Sequence, residues 1–316
     1  MFGVASVYWV TTQPASPLSF DALWPRAGDW PAYVDGAVDV ALVGIPASLT
    51  SLSPTNAHLT PVAIREALRC YSPALMPSPW QEITDLSQLI YADFGDVEEP
   101  DSPAGEALTA TLVGRASACS RLVIALGGDN SITVATALGA WGSEVASAGL
   151  VTLDAHYDLR DGVSNGSPIR RLIEAGLDPT RIVQIGIQDF ANSVAYARRA
   201  WELGITVIHR DELESRSMAD VMAQALETAG AAGGAIHVDL DVDVCDRAVV
   251  PACPAALPGG ISAYQLREAA RLAGADARVR SIDITEIDAS VDSADGRTIR
   301  LAALCVLEAA AGVNAR

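Results

Sequence analysis

Three short acidic segments carry the residues best able to do chemistry: Gly127-Gly128-Asp129-Asn130, Asp154-Ala155-His156-Tyr157-Asp158 and Asp239-Leu240-Asp241-Val242-Asp243. Each follows an apolar, β-favouring run: Leu122 to Leu126, Leu150 to Leu153, and Ala235 to Val238. Carboxylates this dense at strand ends repel one another and are costly to remove from water unless a cation neutralises them. Residues two apart share a face of an extended segment. Asp154, His156 and Asp158 are therefore expected to point one way, as are Asp239, Asp241 and Asp243. Oxygen ligands with one imidazole suit Mn2+ or a similar divalent ion, and bridging carboxylates allow two ions side by side. A lone DxD is more often a solvated loop or a helix cap, but the ensemble points to a metalloenzyme.

The elements that must position these segments alternate along the chain. Asp39 to Gly44 reads as a strand ending in a polar loop, 46–60, and Pro61 to Cys70 as a helix with proline in its first turn. Further strands are expected at Leu89 to Phe94, Leu122 to Leu126, Leu150 to Leu153, Ile182 to Ile187, Thr206 to His209, Ala235 to Asp239 and Val279 to Thr285. Helices are expected at Glu106 to Ala118, from Ser131 onward, and at Ser167 to Ala175, Met218 to Thr228, Ala263 to Ala273 and Arg297 to Ala311. This repeated order predicts an α/β fold in which a largely parallel sheet carries helices on both faces. Ligand groups in such sheets gather beyond the carboxyl ends of strands, where all three acidic segments fall. Residues 1–316 read as one domain, with 1–35 as an N-terminal arm and Met1 to Val10 as an edge strand within it.

Bulk composition narrows the partners. With 316 residues, half of them apolar, the chain can bury a large core. A net charge of −18 argues against nucleic acid and anionic membrane. No run of apolar residues is long enough to span a bilayer, and Met1 to Ala15 lacks the basic start of a secretory signal. Five cysteines without a CxxC pair read as reduced thiols, which places the protein in the cytoplasm.

Taken in order, VGIPASLTSLSPTNAHLTPVAIREAL, ALGGDNSIT, LDAHYDLR, HVDLDVDVCD and SIDITEID resemble the ureohydrolase superfamily of arginases, agmatinases and formimidoylglutamases. ALGGDNSIT is similar to the GGDHS motif, LDAHYDLR to DAHxD, and HVDLDVDVCD to SxDxDxxDP. SIDITEID is similar to the segment with the family's substrate-binding glutamate. The resemblance runs from about Val43 to the C-terminus. It implies a three-layer α/β/α, arginase-like fold with a mainly parallel sheet, assembly as a homo-oligomer (trimer or hexamer), and two Mn2+ ions per subunit. Asp154 and Asp241 would bridge the ions, His156 and Asp243 complete one site, and Asp158 with Asn130 the other. Aligning Asp241 and Asp243 with the DxD ligands brings Asp246 and Pro251 into register and puts Asp239 where the family has serine. A register shift that makes Asp239 a ligand is the rival reading. By the same resemblance a metal-activated hydroxide attacks an amidinium carbon. Asp158 moves a proton toward the departing nitrogen, and Glu286 accepts hydrogen bonds from the amidinium.

Departures from the family pattern shape the substrate. Asn130 replaces a ligating histidine, so the ion site containing it is expected to be weak or empty. Asn165 stands where arginases and agmatinases have a histidine able to shuttle protons. Arg160, Arg170 and Arg171 follow the second motif, and arginines at a pocket favour a substrate bearing carboxylates. Arg160, Asn165, Ser167, Arg170 and Glu286 are the expected substrate contacts. The DAHxDLR and SxGxxxR pattern is more similar to formimidoylglutamases than to arginases. It implies hydrolysis of the small anionic amidine N-formimidoyl-L-glutamate to L-glutamate and formamide, a step of histidine degradation. A ureohydrolase acting on a guanidino acid and a catalytically silent homologue are the alternatives.

Overall fold

The computed structural model describes residues 21–76 and 83–316. The expected strand Met1 to Val10 lies outside the described residues, as does the arm before residue 21. In chain order the described elements begin with β1 (Val38–Ile45), α1 (Thr60–Leu68), β2 (Ala74–Leu75), β3 (Thr84–Asp85), β4 (Tyr91–Asp96) and α2 (Pro103–Cys119). Next come β5 (Ser120–Gly127), α3 (Ile132–Trp141), β6 (Gly149–Leu153), α4 (Pro168–Glu174), β7 (Ile182–Ile187) and α5 (Val194–Leu203). The chain ends with β8 (Thr206–His209), α6 (Met218–Ala229), β9 (Ile236–Asp241), α7 (Ala263–Ala275), β10 (Val279–Thr285) and α8 (Arg297–Asn314).

Eight strands form one sheet in the order β4-β1-β5-β10-β9-β6-β7-β8, and every neighbouring pair is parallel. Helices α1, α6, α7 and α8 contact one another in series, while α2, α3 and α4 do the same on the other face. The result is a three-layer α/β/α arrangement around a mainly parallel sheet. The strands and helices expected from Asp39 onward are found within a few residues of their expected ends. The helix α5 is an addition: it buries only Ala200, and its limits are set by Ser193, whose hydroxyl accepts from Tyr196 N–H, and by Gly204 in the left-handed region. The outer edge of β4 is covered by residues 30–33. Tyr33 N–H donates to Asp93 O, Asp93 N–H to Pro31 O, and Trp30 and Tyr33 stack on Tyr91 and Phe94.

Strand β9 runs two residues beyond its expected end, so Asp239 and Asp241 belong to the strand itself. Alternation sorts its side chains. Ile236, Val238 and Leu240 enter the main apolar core, which leaves His237, Asp239 and Asp241 on the opposite face. Strand β10 does the same, with Ile282 and Ile284 in the core and Ser281, Asp283 and Thr285 opposed to it. The register pairs Ser281 with His237, Asp283 with Asp239, and Thr285 with Asp241. A buried ladder of polar side chains therefore runs up the centre of the sheet toward its carboxyl end.

Candidate metal centre

Strands β5, β10, β9 and β6 are consecutive in the sheet. Their carboxyl ends deliver Asn130, Glu286, Asp239 to Asp243 and Asp154 to Asp158 to one place, as expected of a parallel sheet. Close backbone approach makes this possible at the end of β5. A Cβ on Gly128 would lie 2.2 Å from Ala47 O, and one on Gly127 2.6 Å from Ile284 O.

Three of the expected ligands converge tightly. Asp154, His156 and Asp243 offer ligand atoms that all lie within 4.8 Å of one another. His156 Nδ1 is 2.7 Å from Asp243 Oδ2 and 3.4 Å from Asp154 Oδ1. Asp243 is steadied by Ala155 N–H, which donates to its Oδ1 at 2.9 Å. Asp241 lies one residue before a turn of 3-10 helix, Val242–Val244, and its Oδ1 accepts from Asp243 N–H at 2.9 Å.

Simple alternation does not survive past the strand ends. The chain leaves the extended form after Leu153, and Asp158 has φ +51°. Asp158 accordingly meets Asn130, whose amide nitrogen donates to its Oδ2 at 2.7 Å. Glu286, just past β10, has φ +64°. Both are non-glycine residues in the left-handed region, a conformation the surrounding structure must hold.

The electrostatics call for a cation. Asp154, Asp158, Asp239, Asp241 and Asp243 are all buried. Burial, then Asp158 and Asp243, drive the Asp154 carboxyl well above the usual range, and Asp241 is driven up by burial and by Asp243 and Asp154. Burial pushes Asp158 up to about 7 against the pull of His156, and burial with Asp129 lifts Glu286 to about 8. Burial alone would depress the His156 imidazole, but Asp243 outweighs it and raises it to about 10. Asp243 responds in the opposite sense: burial raises it, yet His156 holds it below the ordinary value. One imidazole is thus the cation for a nest of carboxylates. That donor set fits divalent ions, which favour oxygen with a single nitrogen. Asp239 is lifted by burial and by its neighbour Asp283, and the tight triad does not include it.

The remaining expected residues divide. Glu286 Oε1 accepts from Asn130 N–H and from the Asn165 side chain, each at 2.8 Å, so Asn130 and Asn165 both reach it. Arg160 is exposed, and its charge is felt at Asp158. Two expected substrate contacts are placed elsewhere. The guanidinium of Arg170 donates to the carbonyls of Arg160 and Gly162 and pairs with Glu174, so it braces the loop and does not face the carboxylates. Ser167 is buried and its hydroxyl is closed on Ser164, accepting from the N–H and donating to the carbonyl. Arg171 pairs with Glu106 on α2.

Sequence reasoning missed the support beneath the site. His237 Nδ1 lies 2.7 Å from Ser281 Oγ and its Nε2 3.2 Å from Asp283 Oδ2. Thr133 and Thr285 both turn hydroxyls to Asn130 Oδ1, at 2.8 and 3.1 Å. Polar residues at period two within otherwise apolar strands were the signal available.

An acid-lined centre at four adjacent strand ends of a parallel α/β/α sheet defines a class, and the chain's match over residues 38–312 places it in that class: it belongs to the Arginase family. More particularly, it is 33% identical over 278 residues to a formimidoylglutamase of Halalkalibacterium halodurans, with 84% of each chain covered. The solved formimidoylglutamase of Bacillus subtilis superposes with a TM-score of 0.85 at 27% identity, covering 96% of both chains. A Trypanosoma cruzi formiminoglutamase solved with Mn2+ shares the fold, with a TM-score of 0.77 at 22% identity over 88% of this chain and 94% of that one.

Proposed function

We propose that this chain hydrolyses N-formimidoyl-L-glutamate to L-glutamate and formamide. Membership of the family and similarity to formimidoylglutamases support the reaction class. The observation that carries the substrate is Arg160, an exposed guanidinium two residues after Asp158, whereas the neighbouring Arg170 and Arg171 are already paired with Glu174 and Glu106. A cation unpaired among the described residues and so near the acidic ones favours a substrate with carboxylates.

Asp154, His156 and Asp243 would hold one Mn2+, with Asp154 and Asp241 shared and Asp158 and Asn130 toward a second. When bound, the ions supply the charge that lets water act as a nucleophile near neutral pH. The chain's own groups do the rest. Glu286 has Oε1 committed to Asn130 and Asn165, which leaves Oε2 to receive the amidinium N–H groups. Asp158, held beside Asn130 past the end of β6, is placed to carry a proton to the departing glutamate nitrogen. Assembly as a trimer or hexamer and a cytoplasmic location accompany this reading, and sedimentation tests the first.

The deciding experiment is turnover of N-formimidoyl-L-glutamate by Mn2+-reconstituted protein, with formamide and glutamate measured. Activity that disappears in Asp241→Ala supports the reading. Urea released from guanidino acids, with no formamide, overturns it.

A further inference from the structure

Asn165 joins two parts of the cleft through one carboxamide. Its nitrogen donates to Glu286 Oε1 at 2.8 Å, and its oxygen accepts from Leu52 N–H at 3.0 Å. Its own N–H also donates to Thr50 O at 3.3 Å. Residues 46–56 follow β1 and wall the site. Four residues of that loop are tied to carboxylates: Ser48 and Leu49 N–H to Asp101, the Thr50 hydroxyl to Asp129, and Asn56 N–H to Asp288. The stretch around Leu52 has no such anchor among the described residues. Its side chain cannot hold it either, because Leu52 is 56% exposed. Among the described residues, Asn165 makes the one hydrogen bond from Leu52 to the rest of the site.

Glu286 needs an external hold as well, since its backbone occupies the strained left-handed region. Two donors fix its Oε1, one from Asn130 and one from Asn165. We propose that Asn165 is a positioning residue that aims the Glu286 carboxylate and clamps the Thr50–Leu52 rim to it as one unit. The inference rests on the reading of Glu286 as the partner of the amidinium.

Two variants separate the halves of this role. Asn165→Ala removes both side-chain bonds. Asn165→Asp keeps an oxygen for Leu52 N–H but sets a carboxylate against Glu286. Full-length, Mn2+-loaded protein is followed by amide hydrogen exchange at Leu52, with β1 amides reporting the global fold, and by kcat and KM for N-formimidoyl-L-glutamate. In Asn165→Ala, Leu52 exchange should rise about tenfold, the value of one lost hydrogen bond, with β1 unchanged. In Asn165→Asp, Leu52 exchange should stay at the wild-type rate while KM rises by about tenfold or more. Wild-type exchange at Leu52 in the alanine variant overturns the clamp, and a wild-type KM in the aspartate variant overturns the aiming. If the wild-type protein fails to turn over this substrate, the functional reading falls, whereas the exchange contrast between the two variants still decides the clamp.

Discussion

The side-chain nitrogen of Asn130 stands 2.7 Å from Asp158 Oδ2, with its oxygen turned to the hydroxyls of Thr133 and Thr285. In this orientation Asn130 restrains a carboxylate and does not present a ligand. To offer its oxygen to an ion, the carboxamide must rotate by half a turn and give up Asp158. Both threonine hydroxyls can accept as well as donate, so the rotated amide keeps partners. The lost bond to a carboxylate nonetheless weakens ion binding on that side. Asn130→His, which needs no such rotation, is expected to tighten the second Mn2+ by about tenfold, the equivalent of one net charged hydrogen bond. Calorimetric titration of chelator-stripped protein measures it, and an unchanged second affinity would remove residue 130 from the coordination shell.

Stripping the metal should make stability depend on pH in a defined sense. Burial holds Asp158 near 7 and, with Asp129, Glu286 near 8, both above their unfolded values. Between those limits the folded chain binds more protons than the unfolded chain, so stability falls as pH rises. His156 has the same sign: the stabilisation from Asp243 is complete below the unfolded histidine value and is lost as pH rises through about 10. Asp243, held low by His156 against burial, contributes stability that disappears only below the ordinary carboxylate range. The midpoint of thermal unfolding in EDTA should therefore decline from about pH 5 to about pH 8, with a shallower slope when Mn2+ is present. A flat or rising midpoint in EDTA would contradict this charge assignment.

Much of the frame was legible because strand and helix limits follow local pattern. The run Val279 to Thr285 is a strand in sequence and in structure, and the acidic motifs fall where parallel sheets place ligands. What escaped depends on contacts between distant residues. The left-handed backbone of Asp158 and Glu286 is not signalled by glycine at either position. His237 meets Asp283 only through the register of β9 on β10, which no single strand encodes. Arg170 and Arg160 are alike in sequence, yet one turns into loop carbonyls and the other stays exposed.

That difference between the arginines is testable. Arg160→Ala should raise KM for N-formimidoyl-L-glutamate by about ten- to a hundredfold with kcat little changed, because it removes a charged contact common to ground and transition states. Arg170→Ala should act mainly on stability, as it releases the carbonyls of Arg160 and Gly162. Steady-state kinetics and thermal unfolding of both variants decide the matter. A larger KM effect from Arg170→Ala would reverse the assignment.

Asp239 tests the alignment of the metal ligands. Its carboxyl is buried and raised first by burial and then by Asp283, the residue paired with it across β9 and β10. The tight triad uses Asp154, His156 and Asp243, and Asp239 sits two residues before Asp241 on the face beneath it. A buried carboxyl with a like neighbour costs stability unless a cation is near. Asp239→Ser keeps a polar group beside Thr285, whose hydroxyl lies 3.5 Å from Asp239 Oδ1, and removes that cost. Chelator-stripped Asp239→Ser should be more stable than the parent by about 1–3 kcal/mol, and it should still bind Mn2+ in the parent's stoichiometry. Asp241→Ser should lose metal. The comparison needs metal analysis after gel filtration and urea unfolding in EDTA. Loss of metal from Asp239→Ser with retention in Asp243→Ser would shift the ligand register to Asp239 and Asp241.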